Sequence, residues 1–264
     1  MSTAPVRLGI IVPSSNTSLE PLTQAIVDSI STPLRQVTVH FTRIRMTQLD
    51  LSTRSAAQFA QSAFVPAAQL LADAKASRPS THPTPFPAQP LPRVDAIGWS
   101  GTSAGWLGFS QDEQLCELVT RRFGVPATTS TLALNRVLRL ARVERLGLVT
   151  PYTSDMNQLI MRNYAEIGFP IAPEREKHLG ITENGEIGSV GEERLTSMVR
   201  DVVDAGADAV TTFCTNWNAA HLVDGWEKQF DVPVFDSVAT VVWDLCRMTE
   251  VDMSGAGSWG RMFF

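Results

Sequence analysis

Two short turns carry the side chains best suited to chemistry. In "DAVTTFCTNWN" (208–218) an apolar run ends at Cys214, followed by Thr215 and Asn216. In "DAIGWSGTSAG" (95–105) the same frame ends at Gly101, followed by Thr102 and Ser103. Laid over one another, Gly101 falls on Cys214 and Thr102 on Thr215. A thiol at the carboxyl end of a buried strand can serve as a nucleophile or as a proton donor and acceptor, with its pKa set by burial and nearby dipoles. Glycine leaves room for a ligand, and hydroxyls with backbone N–H groups can hold an oxyanion. Each feature also has a plainer reading. A free cysteine often only packs, and Thr or Ser after a strand often caps the next helix.

Other residues join this set. Pro13, Ser14 and Asn16 of "PSSN" end an apolar run and precede "SLEPL", so they serve as a helix cap, an anion site, or both. Tyr152 follows Pro151, and a phenol at a cleft can donate to a carboxylate or enolate oxygen. Asn184 in "GITENGEIG" has a turn reading through Asn-Gly. Trp99, Trp106 and Trp217 flank the two turns as candidate apolar walls. Cys116 and Cys246 fall within helical patterns and read as core. The four histidines lack metal-ligand spacing, and GxGxxG and P-loop patterns are absent, so neither a metal nor a cofactor is expected.

These turns need strands to hold them. Apolar, β-branched runs at 7–13, 37–44, 95–100, 145–151, 208–214 and 232–237 alternate with segments of helical period, including one continuous helix predicted over 55–76. That alternation indicates a parallel sheet covered on both faces. Three blocks recur in the same order: "RLGIIVPSSN" with "RLGLVTPYTS", "DAIGWSGTSA" with "DAVTTFCTNW", and "FGVPATTS" with "FDVPVFDS". The expected fold is therefore α/β, with two pseudo-symmetric Rossmann-like (flavodoxin-like) lobes, each with its own parallel sheet. Residues 1–127 plus 238–264 are assigned to the first lobe and 128–237 to the second. Ligands bind outside the carboxyl ends of such strands, which places the repeated turns around one cleft between the lobes. The proline-rich stretch 77–93 interrupts the symmetry and reads as a surface insertion.

Composition narrows the partners. The chain has 264 residues, 44% hydrophobic and 19% charged, with net charge −5. It has no basic footprint for nucleic acid or anionic membrane, and no apolar run approaches the ~18 residues of a membrane helix. No secretory signal is evident. Three unevenly spaced cysteines argue against a disulfide framework, so a cytoplasmic protein is expected. The expected partner is a small-molecule carboxylate substrate. A homo-oligomer is compatible with the sequence and not required by it.

The whole chain resembles the Asp/Glu racemase superfamily, in the branch of maleate cis-trans isomerase and arylmalonate decarboxylase. The likeness runs through "RLGIIVPSSNTSLEP", "FTRIRMTQLD", "TPYTSDMNQL", "HLGITENGEIG" and "FCTNWNAAHL" to "GSWGRMFF". "VPSSNT", "RIRM", "TPY" and Asn184 resemble the isomerases, in which Asn and Tyr hold substrate carboxylates. Those isomerases and the racemases place one cysteine in each half, and Gly101 stands where the first belongs. "GTS" with a lone cysteine in the second half resembles arylmalonate decarboxylase. That resemblance implies a dioxyanion hole from Thr102, Ser103, Tyr152 and the Thr215 N–H, with Cys214 protonating one face of an enediolate and a thiol pKa that is not strongly depressed. It implies cofactor-independent decarboxylation of a malonate-type diacid. The alternatives are a single-thiol isomerase or racemase and a non-catalytic carboxylate binder. Restoring a thiol by Gly101→Cys is expected to confer racemisation of the product.

Overall fold

The computed structural model describes residues 5–47, 50–73 and 94–264; the proline-rich stretch 77–93 lies outside them. Among the described residues, eight strands form two sheets. Strands β1 (Val6–Pro13), β2 (Val37–Ile44), β3 (Ala96–Trp99) and β4 (Ala127–Thr129) pair in the order β2-β1-β3-β4. Strands β5 (Leu146–Thr150), β6 (Glu176–His178), β7 (Ala209–Thr212) and β8 (Val234–Asp236) pair in the order β6-β5-β7-β8. Every pairing is parallel. The two sheets therefore share one topology, as the repeated blocks require, and in each the third and first strands of the half lie side by side.

The helices α1 (Leu19–Ile30), α2 (Thr53–Ala57), α3 (Gln61–Ala72), α4 (Ala104–Leu107), α5 (Phe109–Phe123) and α6 (Ser130–Leu140) accompany the first sheet. Helices α7 (Ser154–Glu166), α8 (Asn184–Gly188), α9 (Glu192–Asp204), α10 (Val223–Phe230) and α11 (Ser237–Met248) follow in the second half. The pseudo-symmetry extends to the caps. The Thr129 hydroxyl accepts the Leu132 N–H at 3.1 Å to open α6, and the Asp236 carboxylate accepts the Val238 and Ala239 N–H groups to open α11.

Helix α11 packs on α1, β3 and β4 of the first sheet. A Cβ at Gly98 would stand 2.8 Å from the Val241 side chain and 3.0 Å from Leu245, so this face of β3 has no room for a side chain. Strand alternation sends Trp99 to the opposite face, where its ring meets Phe64 of α3 edge-on at 4.9 Å.

Three elements differ from the sequence pattern. The single helix expected over 55–76 is broken between α2 and α3. There the Ala60 N–H turns back to the Ala57 carbonyl, and the turn docks Phe59 against Trp106 with ring centroids 5.9 Å apart. Strand β6 is a three-residue, partly exposed edge reading "EKH", with no apolar run to announce it. Helix α11 is buried at every residue from Ser237 to Cys246, so its apolar positions show no 3.6-residue stripe. No helix among the described residues is long and apolar enough to cross a membrane.

Candidate active site

The turns after β1, β3, β5 and β7 converge on one cavity of about 30 Å³, space for one or two water molecules. The first lobe supplies Pro13, Asn16 and the segment around Gly101–Ser103; the second supplies Tyr152, Asn184 and Cys214–Asn216. The sequence-identified residues are thus brought together with two exceptions, Ser14 and the candidate wall Trp217. Ser14 does not line the cavity. Its hydroxyl accepts the Met46 N–H at 3.0 Å and donates to the Met46 carbonyl at 3.4 Å, so it anchors the chain beyond β2.

The hydroxyls of Thr102 and Tyr152 lie 2.6 Å apart, one from each lobe. The Tyr152 N–H is held by the Thr150 hydroxyl at 3.2 Å, and its ring packs on Trp106 with centroids 5.1 Å apart. Burial, and then the nearby Cys214, hold the phenol pKa well above its ordinary value, so it stays protonated. Ser103 is buried and opens α4 without capping it. Among the described residues, the backbone N–H groups of Thr102, Ser103 and Thr215 have no hydrogen-bond partner. Three residues of the cavity wall thus carry backbone donors that the fold does not use.

Cys214 is 2% exposed and ends the segment that follows β7. Burial pushes its thiol up to about 11, offset in part by the Asn216 N–H, the Tyr152 phenol and the Trp217 N–H. The Asn216 N–H reaches the sulfur at 3.4 Å. At neutral pH the side chain is a thiol, and three donors stand ready to steady the thiolate left once the proton departs. The other two cysteines, Cys116 and Cys246, are held as thiols by the same burial.

A polar clasp joins the lobes beside the thiol. The Asn16 Oδ1 caps α1 through the Ser18 and Leu19 N–H groups, while its Nδ2 donates to the Thr215 hydroxyl at 3.3 Å. The Asn216 Oδ1 accepts the Thr17 N–H, and its Nδ2 donates to both oxygens of Asn184. The Asn184 Nδ2 in turn donates to the Ser15 hydroxyl at 2.7 Å. These amides set the distance between "PSSN" and "CTN".

Gly101 has no free space above it. A Cβ there would stand 2.2 and 2.3 Å from two ring carbons of Trp99 and 2.8 Å from its Nε1. The indole fills the position that a first thiol would need. Trp106 also lines the cavity, whereas Trp217 does not: it is fully buried away from it. Met46 and Phe59 complete the lining; both come from segments outside the repeated blocks, Met46 from the "RIRM" stretch and Phe59 with no motif to mark it. Phe59 and Ser103 also border a neighbouring cleft of about 260 Å³ that includes Gln61, Phe64 and Leu115. Among the described residues, no group of three or more His, Cys, Asp or Glu could hold a metal ion.

The arylmalonate decarboxylase family model matches residues 92–263. The chain is 26% identical over 263 residues to a maleate isomerase of Pseudomonas putida, covering 96% of each chain. It is 26% identical over 170 residues to an arylmalonate decarboxylase of Bordetella bronchiseptica, covering 63% of this chain and 70% of that one. A match to a maleate isomerase of Nocardia farcinica, also 26% identical, spans 51% of this chain and about half, 53%, of that protein's length. Among solved structures, a Nocardia farcinica maleate cis-trans isomerase with a covalently bound succinylcysteine intermediate superposes with TM-score 0.80 at 21% identity over 98% of both chains. A liganded double mutant of arylmalonate decarboxylase superposes with TM-score 0.74 at 18% identity, again over 98% of both. The two-sheet fold is that of both enzymes.

Proposed function

The chain belongs to the arylmalonate decarboxylase family, and from that premise we propose that it decarboxylates a small malonate-type diacid without a cofactor, using Cys214 as the sole proton donor. The observation that carries this reading is the closed space over Gly101. With the Trp99 ring there, the cavity holds one thiol, and that thiol is protonated at neutral pH.

The chemistry follows from the groups present. The bond between the α-carbon and one carboxylate breaks, CO₂ leaves, and its bonding pair stays on the remaining fragment as an enediolate. Preorganised donors stabilise that charge as it forms: the Thr102 and Tyr152 hydroxyls, Ser103, and the uncommitted N–H groups of Thr102, Ser103 and Thr215. The thiol then gives its proton to the α-carbon from one face. The resulting thiolate rests against the Asn216 N–H until solvent returns a proton. A substituent on the diacid has the adjoining cleft beyond Phe59 to occupy.

A second reading has its own support. The likeness to the Pseudomonas putida maleate isomerase spans nearly the whole chain, and Asn16, Asn184 and Tyr152 all border the cavity. Cis-trans isomerisation through a thioether requires Cys214 to attack as a thiolate, which its raised pKa opposes. Incubation with malonates, maleate and amino acids in deuterated buffer separates the readings. Decarboxylation releases CO₂ and places one deuterium on the α-carbon. Conversion of maleate to fumarate with no loss of mass would sink the decarboxylase reading.

A further inference from the structure

We propose that Trp99 is a substrate-binding residue whose indole N–H donates to a carboxylate oxygen of the bound diacid, from the place that a first thiol would occupy. The proposal rests on the reading of the cavity as a carboxylate site.

Eight buried side-chain polar atoms lack a hydrogen-bond partner among the described residues, and the Trp99 Nε1 is the one that belongs to a residue lining the cavity. An indole nitrogen can only donate, and a buried donor left without an acceptor is costly. The molecule satisfies this group elsewhere: the Trp226 Nε1 donates to the Thr196 hydroxyl at 2.9 Å. At Trp99, a residue of the cavity wall, no acceptor is present among the described residues.

The ring is held in place rather than loosely lodged. Trp99 is 2% exposed, ends β3, and meets Phe64 edge-on. The other face of its strand is closed by Val241 and Leu245. Its Nε1 lies 2.8 Å from the position of a Gly101 Cβ, so the donor stands beside the site of the missing thiol. The replacement changes the chemistry of that wall. A thiol there could exchange a proton with the α-carbon, whereas an indole N–H binds an oxygen and does not titrate in the working range. Trp99 therefore adds a hydrogen bond without adding a second acid or base.

The test follows the Trp99 indole N–H by NMR in ¹⁵N-labelled Cys214→Ser protein, which does not consume the ligand. The cross-peak is assigned by its loss in Trp99→Phe, or through contacts to the Phe64 ring should that variant fail to fold. Titration with malonate, phenylmalonate and maleate is expected to move it downfield. Trp99→Phe is expected to weaken binding about tenfold or more, as for a hydrogen bond to a charged group, in protein whose backbone amide spectrum shows it folded. If the Thr102 and Thr215 amide signals move while the indole does not, or if Trp99→Phe binds as tightly, this assignment falls and the carboxylate site stands. If no ligand moves any of these signals, both fall.

Discussion

Tyr152 and Thr102 meet hydroxyl to hydroxyl at 2.6 Å across the boundary between the two sheets, each at the end of a strand from a different lobe. In such a pair one proton is spent on the partner and the other is free to point into the cavity. In the proposed reaction the two residues then serve a single developing oxyanion. Tyr152→Phe and Thr102→Val are each expected to lower kcat for decarboxylation by ~10²–10³, the usual consequence of losing one oxyanion donor, with a smaller change in KM. The double variant should be little worse than the worse single one, since the two act as a unit. Fully multiplicative losses would show that the two hydroxyls serve separate oxygens.

The pKa of Cys214 makes a prediction about alkaline pH. Burial raises the thiol to about 11, so it keeps its proton below that value and loses it only as pH rises through it. A proton donor of this kind gives a kcat that stays level from neutral pH to about 10. A thiolate nucleophile would instead gain activity steadily over the same range. Cys214→Ser, a poorer acid in the same place, should lose ~10²–10⁴ in turnover while ligand affinity measured by calorimetry is retained.

Much of this arrangement was legible in the sequence, for a physical reason. Blocks such as "RLGII" and "RLGLV" are buried parallel strands, and buried strands must be nearly continuous apolar runs whatever the rest of the chain does. Their carboxyl ends then fix where Gly101, Tyr152 and Cys214 stand. What remained hidden depends on side-chain direction and on irregular segments. Nothing in "GWSGTS" says that the Trp99 ring folds back over Gly101 two residues later. Phe59 reaches the cavity because one helical pattern is broken into α2 and α3, a break that periodicity does not show. Ser14 looked like a cavity residue because Pro13 and Asn16 on either side are, yet its hydroxyl is committed to Met46.

The Trp99 ring revises what Gly101→Cys should do. A Cβ at 101 would overlap the ring at 2.2 Å, so the substitution overpacks a closed site at ~1–3 kcal/mol. Differential scanning calorimetry should show a Tm lower by several degrees, and the variant should not acquire two-sided proton exchange. Gly101→Cys combined with Trp99→Ala opens the space for a thiol facing Cys214. Deuterium exchange at the α-carbon of the product, with loss of optical purity, is then expected in the double variant and absent in the single one. Racemisation by the single variant would show that the ring yields easily.

Asn216 carries the last prediction, because its two amide ends face opposite demands. Its Oδ1 accepts the Thr17 N–H from the first lobe, while its Nδ2 donates to the Asn184 carbonyl and side-chain oxygens. Asn216 and Asn184 are buried beside the thiol, and the bond to Thr17 is partly buried. Asn216→Ala leaves those groups unpaired, which should cost about 1–3 kcal/mol and raise KM as "PSSN" and "CTN" lose their spacing. Asn216→Asp should be worse than Asn216→Ala at neutral pH, since a carboxylate keeps the acceptor but sets a negative oxygen against the two oxygens of Asn184. Burial and those acceptors raise the pKa of the introduced carboxyl. Protonation on lowering the pH restores a donor, so the stability deficit of Asn216→Asp should shrink toward pH 5. Urea unfolding of both variants at pH 5 and pH 8 measures this. A deficit that is unchanged or larger at pH 5 would show that the Nδ2 bonds do not hold the lobes together.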